Sequence, residues 1–117
     1  IATLQKLAEK GVWEGGDAAA AALTAGIGKA ADAAGVPLFQ TRVGTMFSSF
    51  FTDCKVQDWD SAKRADRERF GRYFHHLLEN GVYIAPSQFE AGFISSAHDQ
   101  ETVDHTLAAV EYAFQQL

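Results

Sequence analysis

The chain has 117 residues, 47% of them hydrophobic and 21% charged, with a net charge of −5. That length fits one domain able to bury roughly two-thirds of the surface its unfolded form exposes. The composition excludes a disordered segment, the negative balance argues against nucleic acid, and no apolar run approaches the ~20 residues of a membrane span.

Ile1 to Lys10 places Leu4 and Leu7 at helical spacing, and Gly11 stops that helix. Val12-Trp13-Glu14-Gly15-Gly16 reads as a turn, after which Asp17 caps an alanine-rich helix running to Ala34. Leu23, Ile27, Ala30, Ala31 and Ala34 share one face of it, and Gly35 sits where a C-terminal glycine belongs. Gly26 and Gly28 each cost a helix interior about 1 kcal/mol against alanine, so close approach of a neighbouring element is expected there. Leu38 to Val43 and Met46 to Thr52 read as two strands of an antiparallel hairpin turned at Gly44-Thr45. Asp53 to Asp60 is a polar loop containing Trp59. A long helix follows from about Ser61 to Asn80, striped by Phe70, Tyr73, Phe74, Leu77 and Leu78 and ended by Gly81. Val82-Tyr83-Ile84 reads as a short strand stopped by Pro86, and Phe93-Ile94-Ser95 as a candidate for another. The last helix starts near Asp99, with Val103, Leu107, Val110, Phe114 and Leu117 four and three apart. The sum is an α+β domain: a small, mainly antiparallel sheet covered by helices.

Few residues carry chemistry. Cys54 is the only cysteine, so neither an internal disulfide nor a thiolate zinc site is available, and a reducing intracellular compartment is the simplest context. His75 and His76 are adjacent on a helix and point apart, and His98 and His105 lie near and within the last helix; no metal site is expected. No Gly-x-Ser-x-Gly presents a nucleophile, so Ser87, Ser95 and Ser96 read as ordinary loop serines. Lys63, Arg64, Arg67, Arg69 and Arg72 are interleaved with Asp58, Asp60, Asp66 and Glu68, a solvated helix face. Glu90 is the exception. It sits between Phe89 and Phe93 among small residues, where partial desolvation of a carboxylate marks a candidate functional group; the plainer reading is a solvent-facing loop acid.

The run Gly81-Val82-Tyr83-Ile84-Ala85-Pro86-Ser87-Gln88-Phe89-Glu90-Ala91-Gly92-Phe93-Ile94-Ser95-Ser96-Ala97-His98 resembles the C-terminal signature of the glutamate-1-semialdehyde 2,1-aminomutase family. Arg42-Val43-Gly44-Thr45-Met46-Phe47, Phe50-Phe51-Thr52-Asp53, Ala62-Lys63-Arg64-Ala65-Asp66 and Phe74-His75 extend the resemblance over essentially the whole chain. The resemblance implies the C-terminal small domain of a fold-type-I transferase, class-III aminotransferase-like and dependent on pyridoxal 5′-phosphate. Residues 1–117 would be that single domain, with 1–16 the connecting helix and turn from a large domain. It further implies a homodimer converting glutamate-1-semialdehyde to 5-aminolevulinate, the tetrapyrrole (porphyrin) precursor, through diaminovalerate. The location implied is the cytoplasm of a bacterium, or the plastid stroma in a plant or alga.

In that family the glutamate of the Phe-Glu-Ala-Gly-Phe string reaches the active site, a role that falls on Glu90. The family's Schiff-base lysine belongs to the large domain, and Lys6, Lys10, Lys29, Lys55 and Lys63 do not stand in its sequence context. The resemblance therefore implies no cofactor-binding residue in this chain and no activity for it alone. Two alternatives stand beside this reading: the small domain of a related aminotransferase acting on another amine, and a stand-alone binding domain without catalysis.

Overall fold

The computed structural model describes residues 1–117. The elements are α1 (Ala2–Leu7), α2 (Val12–Ala34), β1 (Phe39–Val43), β2 (Met46–Phe50), α3 (Trp59–Ala62), α4 (Arg67–Glu79), β3 (Gly92–Phe93) and α5 (Gln100–Gln115). The strands form one antiparallel sheet in the order β1-β2-β3, with Phe39 opposite Phe50, Val43 opposite Met46, and Met46 in turn opposite Phe93. Gly44 makes the hairpin turn at φ +58°, a conformation glycine adopts without a Cβ penalty.

Helix α2 lies on the sheet and packs along α5, while α4 packs on the other flank of α5. Leu23, Ile27 and Ala31 of α2 meet Ala109, Val110, Ala113 and Phe114 of α5, and Phe51, Tyr73, Leu77 and Ile94 close the core. The rings of Phe51, Tyr73 and Phe114 stand 5.1–5.9 Å apart in edge and tilted contacts, a geometry that adds about 0.5–1.5 kcal/mol per pair to the area they bury. A Cβ on Gly26 would stand 2.3 Å from Leu107, so α2 and α5 meet where glycine removes a side chain, the close approach expected from sequence.

Four expectations are corrected. Val12 to Gly16 is helix, not turn: the first carboxylate of α2 is Glu14, which accepts the Gly11 N–H at 3.1 Å, and Asp17 lies inside the helix. Gly16 is tolerated there because it is buried against Thr45, whose Cγ2 would be 2.9 Å from a Cβ. The stretch from Ser61 to Asn80 is two helices. Asp58 caps α3 through the Ser61 N–H, and Asp66 caps α4 through the Arg69 N–H, so the chain restarts at residue 66. Val82 to Ile84 is not a strand: it pairs with none of β1, β2 and β3, and the Val82 N–H is bonded back to the Leu77 carbonyl at the end of α4. On α2, Ala34 is exposed, unlike the rest of its predicted face.

A candidate ligand-facing site at residues 81–98

The segment after α4 begins with Gly81 at φ +79° and the Val82 N–H bonded to the Leu77 carbonyl at 2.9 Å, which turns the chain off the helix end. His105 of α5 closes the same end, its Nε2 donating to the Asn80 carbonyl at 3.1 Å. The chain then runs extended to Pro86 and folds into a tight turn. The Glu90 N–H donates to the Ser87 carbonyl at 3.1 Å, and the Phe89 N–H to Ser87 Oγ at 3.3 Å. Past the turn, β3 and the Ile94 N–H, bonded to the Thr45 carbonyl at 2.9 Å, return the chain to the sheet. The Ser95 N–H donates to His98 Nδ1 at 3.0 Å. Asp99 then caps α5 through the Thr102 N–H.

This winding path walls a cavity of about 470 Å³ against β2, α4 and α5. Glu90, His98 and His105 all line it, with Ser87 and Gln88 beside Glu90. Glu90 is its only carboxylate, and no lysine or arginine faces it. In its wall, burial holds the Tyr73 phenol neutral well above its usual range.

Glu90 is exposed, which corrects the expectation of a carboxylate desolvated between two phenylalanines. In the turn, successive side chains diverge. Phe89 leans away onto Trp59, with ring centroids 4.8 Å apart, and Phe93 stands 66% exposed at the sheet edge. None of the ion pairs in the structure engages the Glu90 carboxylate, so it is free to meet a ligand. No three side chains of His, Cys, Asp or Glu converge as metal ligands. Sequence reasoning assigns Gln88 no firm role. It is 4% exposed, and its Nε2 donates to the Ala65 carbonyl at 3.4 Å; a polar residue inside an aromatic string gives no signal until the packing is known.

No protein-family model matches the chain. It is 42% identical over all 117 residues to the glutamate-1-semialdehyde 2,1-aminomutase of Geotalea daltonii, and 49% identical over 115 residues to that of Heliobacterium modesticaldum. The chain matches the C-terminal part of the glutamate-1-semialdehyde 2,1-aminomutases. It spans about a quarter of the length of these aminomutases, 27% and 26%. Among solved structures, the PLP internal aldimine form of the Sphingopyxis sp. MTA144 FumI protein is similar at a TM-score of 0.77 and 31% identity, over 97% of this chain and 25% of that one. A transaminase with PLP bound shares the fold at a TM-score of 0.77 and 18% identity, over 95% of this chain and 24% of that one. The fold is thus that of the C-terminal domain of PLP aminotransferases.

Pyridoxal phosphate needs an amine to hold its aldehyde and donors to cradle its phosphate. The residues of this cavity supply no such amine. Lys6, Lys10, Lys29, Lys55 and Lys63 are all exposed and none lines it. The cofactor's anchor does not fit this site.

Proposed function

We propose that this chain is the C-terminal small domain of a glutamate-1-semialdehyde 2,1-aminomutase. Residues 1–117 form the domain, with 1–16 leading in from the large domain. The complete enzyme is a cytoplasmic homodimer that uses pyridoxal phosphate to convert glutamate-1-semialdehyde to 5-aminolevulinate. The observation that carries this reading is identity of 42–49% over 115 to 117 residues. No helix is long and apolar enough to cross a membrane, and the charge balance gives no track for nucleic acid.

Within that enzyme the part of Glu90 is electrostatic. A carboxylate presented with no partner attracts an amine and repels a second carboxylate. It therefore favours the amino-bearing end of the substrate, and most of all a diamino intermediate, over a dicarboxylic acid. Ser87 acts one step back, since its carbonyl and hydroxyl hold the two amides that shape the turn.

The test is 5-aminolevulinate formation by the complete polypeptide carrying this segment. Glu90→Gln is isosteric and removes only the charge; it lowers turnover and weakens discrimination against dicarboxylic competitors. Unchanged kinetics overturn the role of Glu90, and failure of the unaltered polypeptide to make 5-aminolevulinate overturns the aminomutase reading. A spectral titration of the 117-residue chain with pyridoxal phosphate is expected to yield no stoichiometric visible band. A band abolished by replacing one lysine overturns the division of labour between this domain and the rest.

A further inference from the structure

Two consecutive residues before Glu90 reach sideways to the same corner of the fold. Gln88 is buried at 4% exposure, and its amide donates to the carbonyl of Ala65, in the junction between α3 and α4. Phe89 lays its ring against Trp59, the first residue of α3. That corner is fixed to the core: the Asp66 N–H donates to the carbonyl of Phe51 at 2.9 Å, and Phe51 packs on Tyr73 and Phe114. An unbroken run of contacts therefore leads from the aromatic core, through the α3–α4 corner, to the turn that presents Glu90. Gln88 Oε1 is buried with no donor in reach. A buried amide satisfied on one side only is a poor device for stability, since leaving a buried acceptor unpaired costs more than a typical hydrogen bond contributes. Its geometric consequence is what remains: it pins the turn at the residue two before the carboxylate.

We propose that Gln88, assisted by the Trp59–Phe89 ring pair, is a positioning residue that holds Glu90 at the cavity mouth through the α3–α4 corner. The placement of Glu90 stands on this geometry alone, and its consequence for turnover rests on the aminomutase reading above. Gln88→Leu keeps the bulk and removes the orphaned Oε1 together with the bond to the Ala65 carbonyl, so the pin is lost.

The first readout is amide exchange by NMR in the 117-residue chain. Gln88→Leu and Trp59→Ala each speed exchange of the Glu90 amide several-fold, while amides of α5 such as that of Val110 keep their rates. An unchanged Glu90 amide, or a uniform rise across the chain, overturns the proposal. If Gln88→Leu does not fold, Gln88→Met, a flexible side chain of similar length, takes its place. The second readout is turnover of the complete polypeptide. Misplacing a reacting-site group by about 1 Å can cost up to ~10²-fold, so Gln88→Leu is expected to lower kcat by about tenfold or more with KM near its original value. In a Glu90→Gln background the same change causes no further loss, because the pin has nothing left to place. Equal losses in both backgrounds overturn positioning through Glu90. If Glu90→Gln alone leaves turnover intact, the role of Glu90 fails while the exchange readout still decides whether Gln88 places it.

Discussion

The interior where α2 runs along α5 and the segment from Gly81 to His98 are held by different means. Between the helices, small and apolar residues interlock: Ala20, Ala31 and Ala113 are almost fully buried beside Leu23, Val110 and Phe114, and Gly26 lets Leu107 close on the helix axis. No one of these contacts is special, and burial supplies the stability in proportion to area. The 81–98 segment has two residues of strand in eighteen, and single contacts hold it in place: Val82 on Leu77, Gln88 on Ala65, Ile94 on Thr45, Ser95 on His98. The core shares its stability among many contacts. The segment is not redundant, which is what allows it to aim one carboxylate, and every substitution in it changes where something points.

The strongest challenge to that division is Phe114→Ala. Phe114 is 2% exposed and touches both Phe51 and Tyr73, so truncation leaves a cavity in the aromatic cluster. A loss of about 3–5 kcal/mol is expected from urea unfolding. A loss below about 1 kcal/mol would mean that stability does not reside in the helix interior. Next is Gly92→Ala, in the segment but packed on the sheet. An added Cβ would stand 2.6 Å from Cζ of Phe47, against a ring that β2 holds in place. Overpacking of this kind costs about 1–3 kcal/mol and here also breaks the β2–β3 pairing. If it costs nothing, β3 is not the hinge by which the segment is tied to the sheet.

How much of this was legible in the sequence follows the same division. The hairpin, α2 with its Gly35 end and α5 with its Asp99 cap all announce themselves, because periodicity, turn glycines and caps act over a few residues. The stripe on α4 was legible in part: Tyr73 and Leu77 are buried, Phe70 and Phe74 half-buried, and Leu78 exposed. What was hidden depends on distant partners. Gly15 and Gly16 look like a turn until Thr45 is seen against Gly16. Val82 to Ile84 has strand propensity but pairs with no strand of the sheet, its first amide being bonded back to α4. Glu90 stands out in the sequence for a desolvation that the structure does not show: it lines the cavity but is exposed, its phenylalanine neighbours turn away from it, and Gln88, which bonds across to the α3–α4 corner, carries no local signal.

The pH response also differs between the two regions, by smaller amounts. Tyr73 belongs to the core, where burial raises its phenol pKa. Below the ordinary phenol value of about 10 both folded and unfolded chains keep the proton, and stability is indifferent to pH. Above it the unfolded chain ionises and the folded one does not, so stability falls as pH rises. Asp99, just past the segment where it caps α5, is shifted the other way, chiefly by the Thr102 N–H and then by its hydroxyl. Its contribution is present above the ordinary carboxylate range and is lost as pH falls through the lowered value, below about pH 4. Alkaline unfolding should be blunted in Tyr73→Phe and acid unfolding in Asp99→Asn, each measured as the midpoint of a pH titration at fixed urea. Both substitutions leaving both limbs unchanged would remove the electrostatic side of the comparison.

The smallest expected effect on stability is the most informative. Glu90→Gln should move the unfolding free energy by no more than about 0.5 kcal/mol, because the carboxylate is exposed and unpaired, and surface changes away from caps and packed groups rarely exceed that. Turnover of the complete polypeptide should fall all the same. A side chain that costs nothing to remove from the fold, yet is held by a buried amide two residues away, is kept for what it faces. If the same substitution instead destabilises the chain by 1 kcal/mol or more, as a packed or capping residue would on the usual scale, Glu90 is part of the scaffold. The boundary between the redundant core and the aimed segment would then have to be redrawn beyond residue 90.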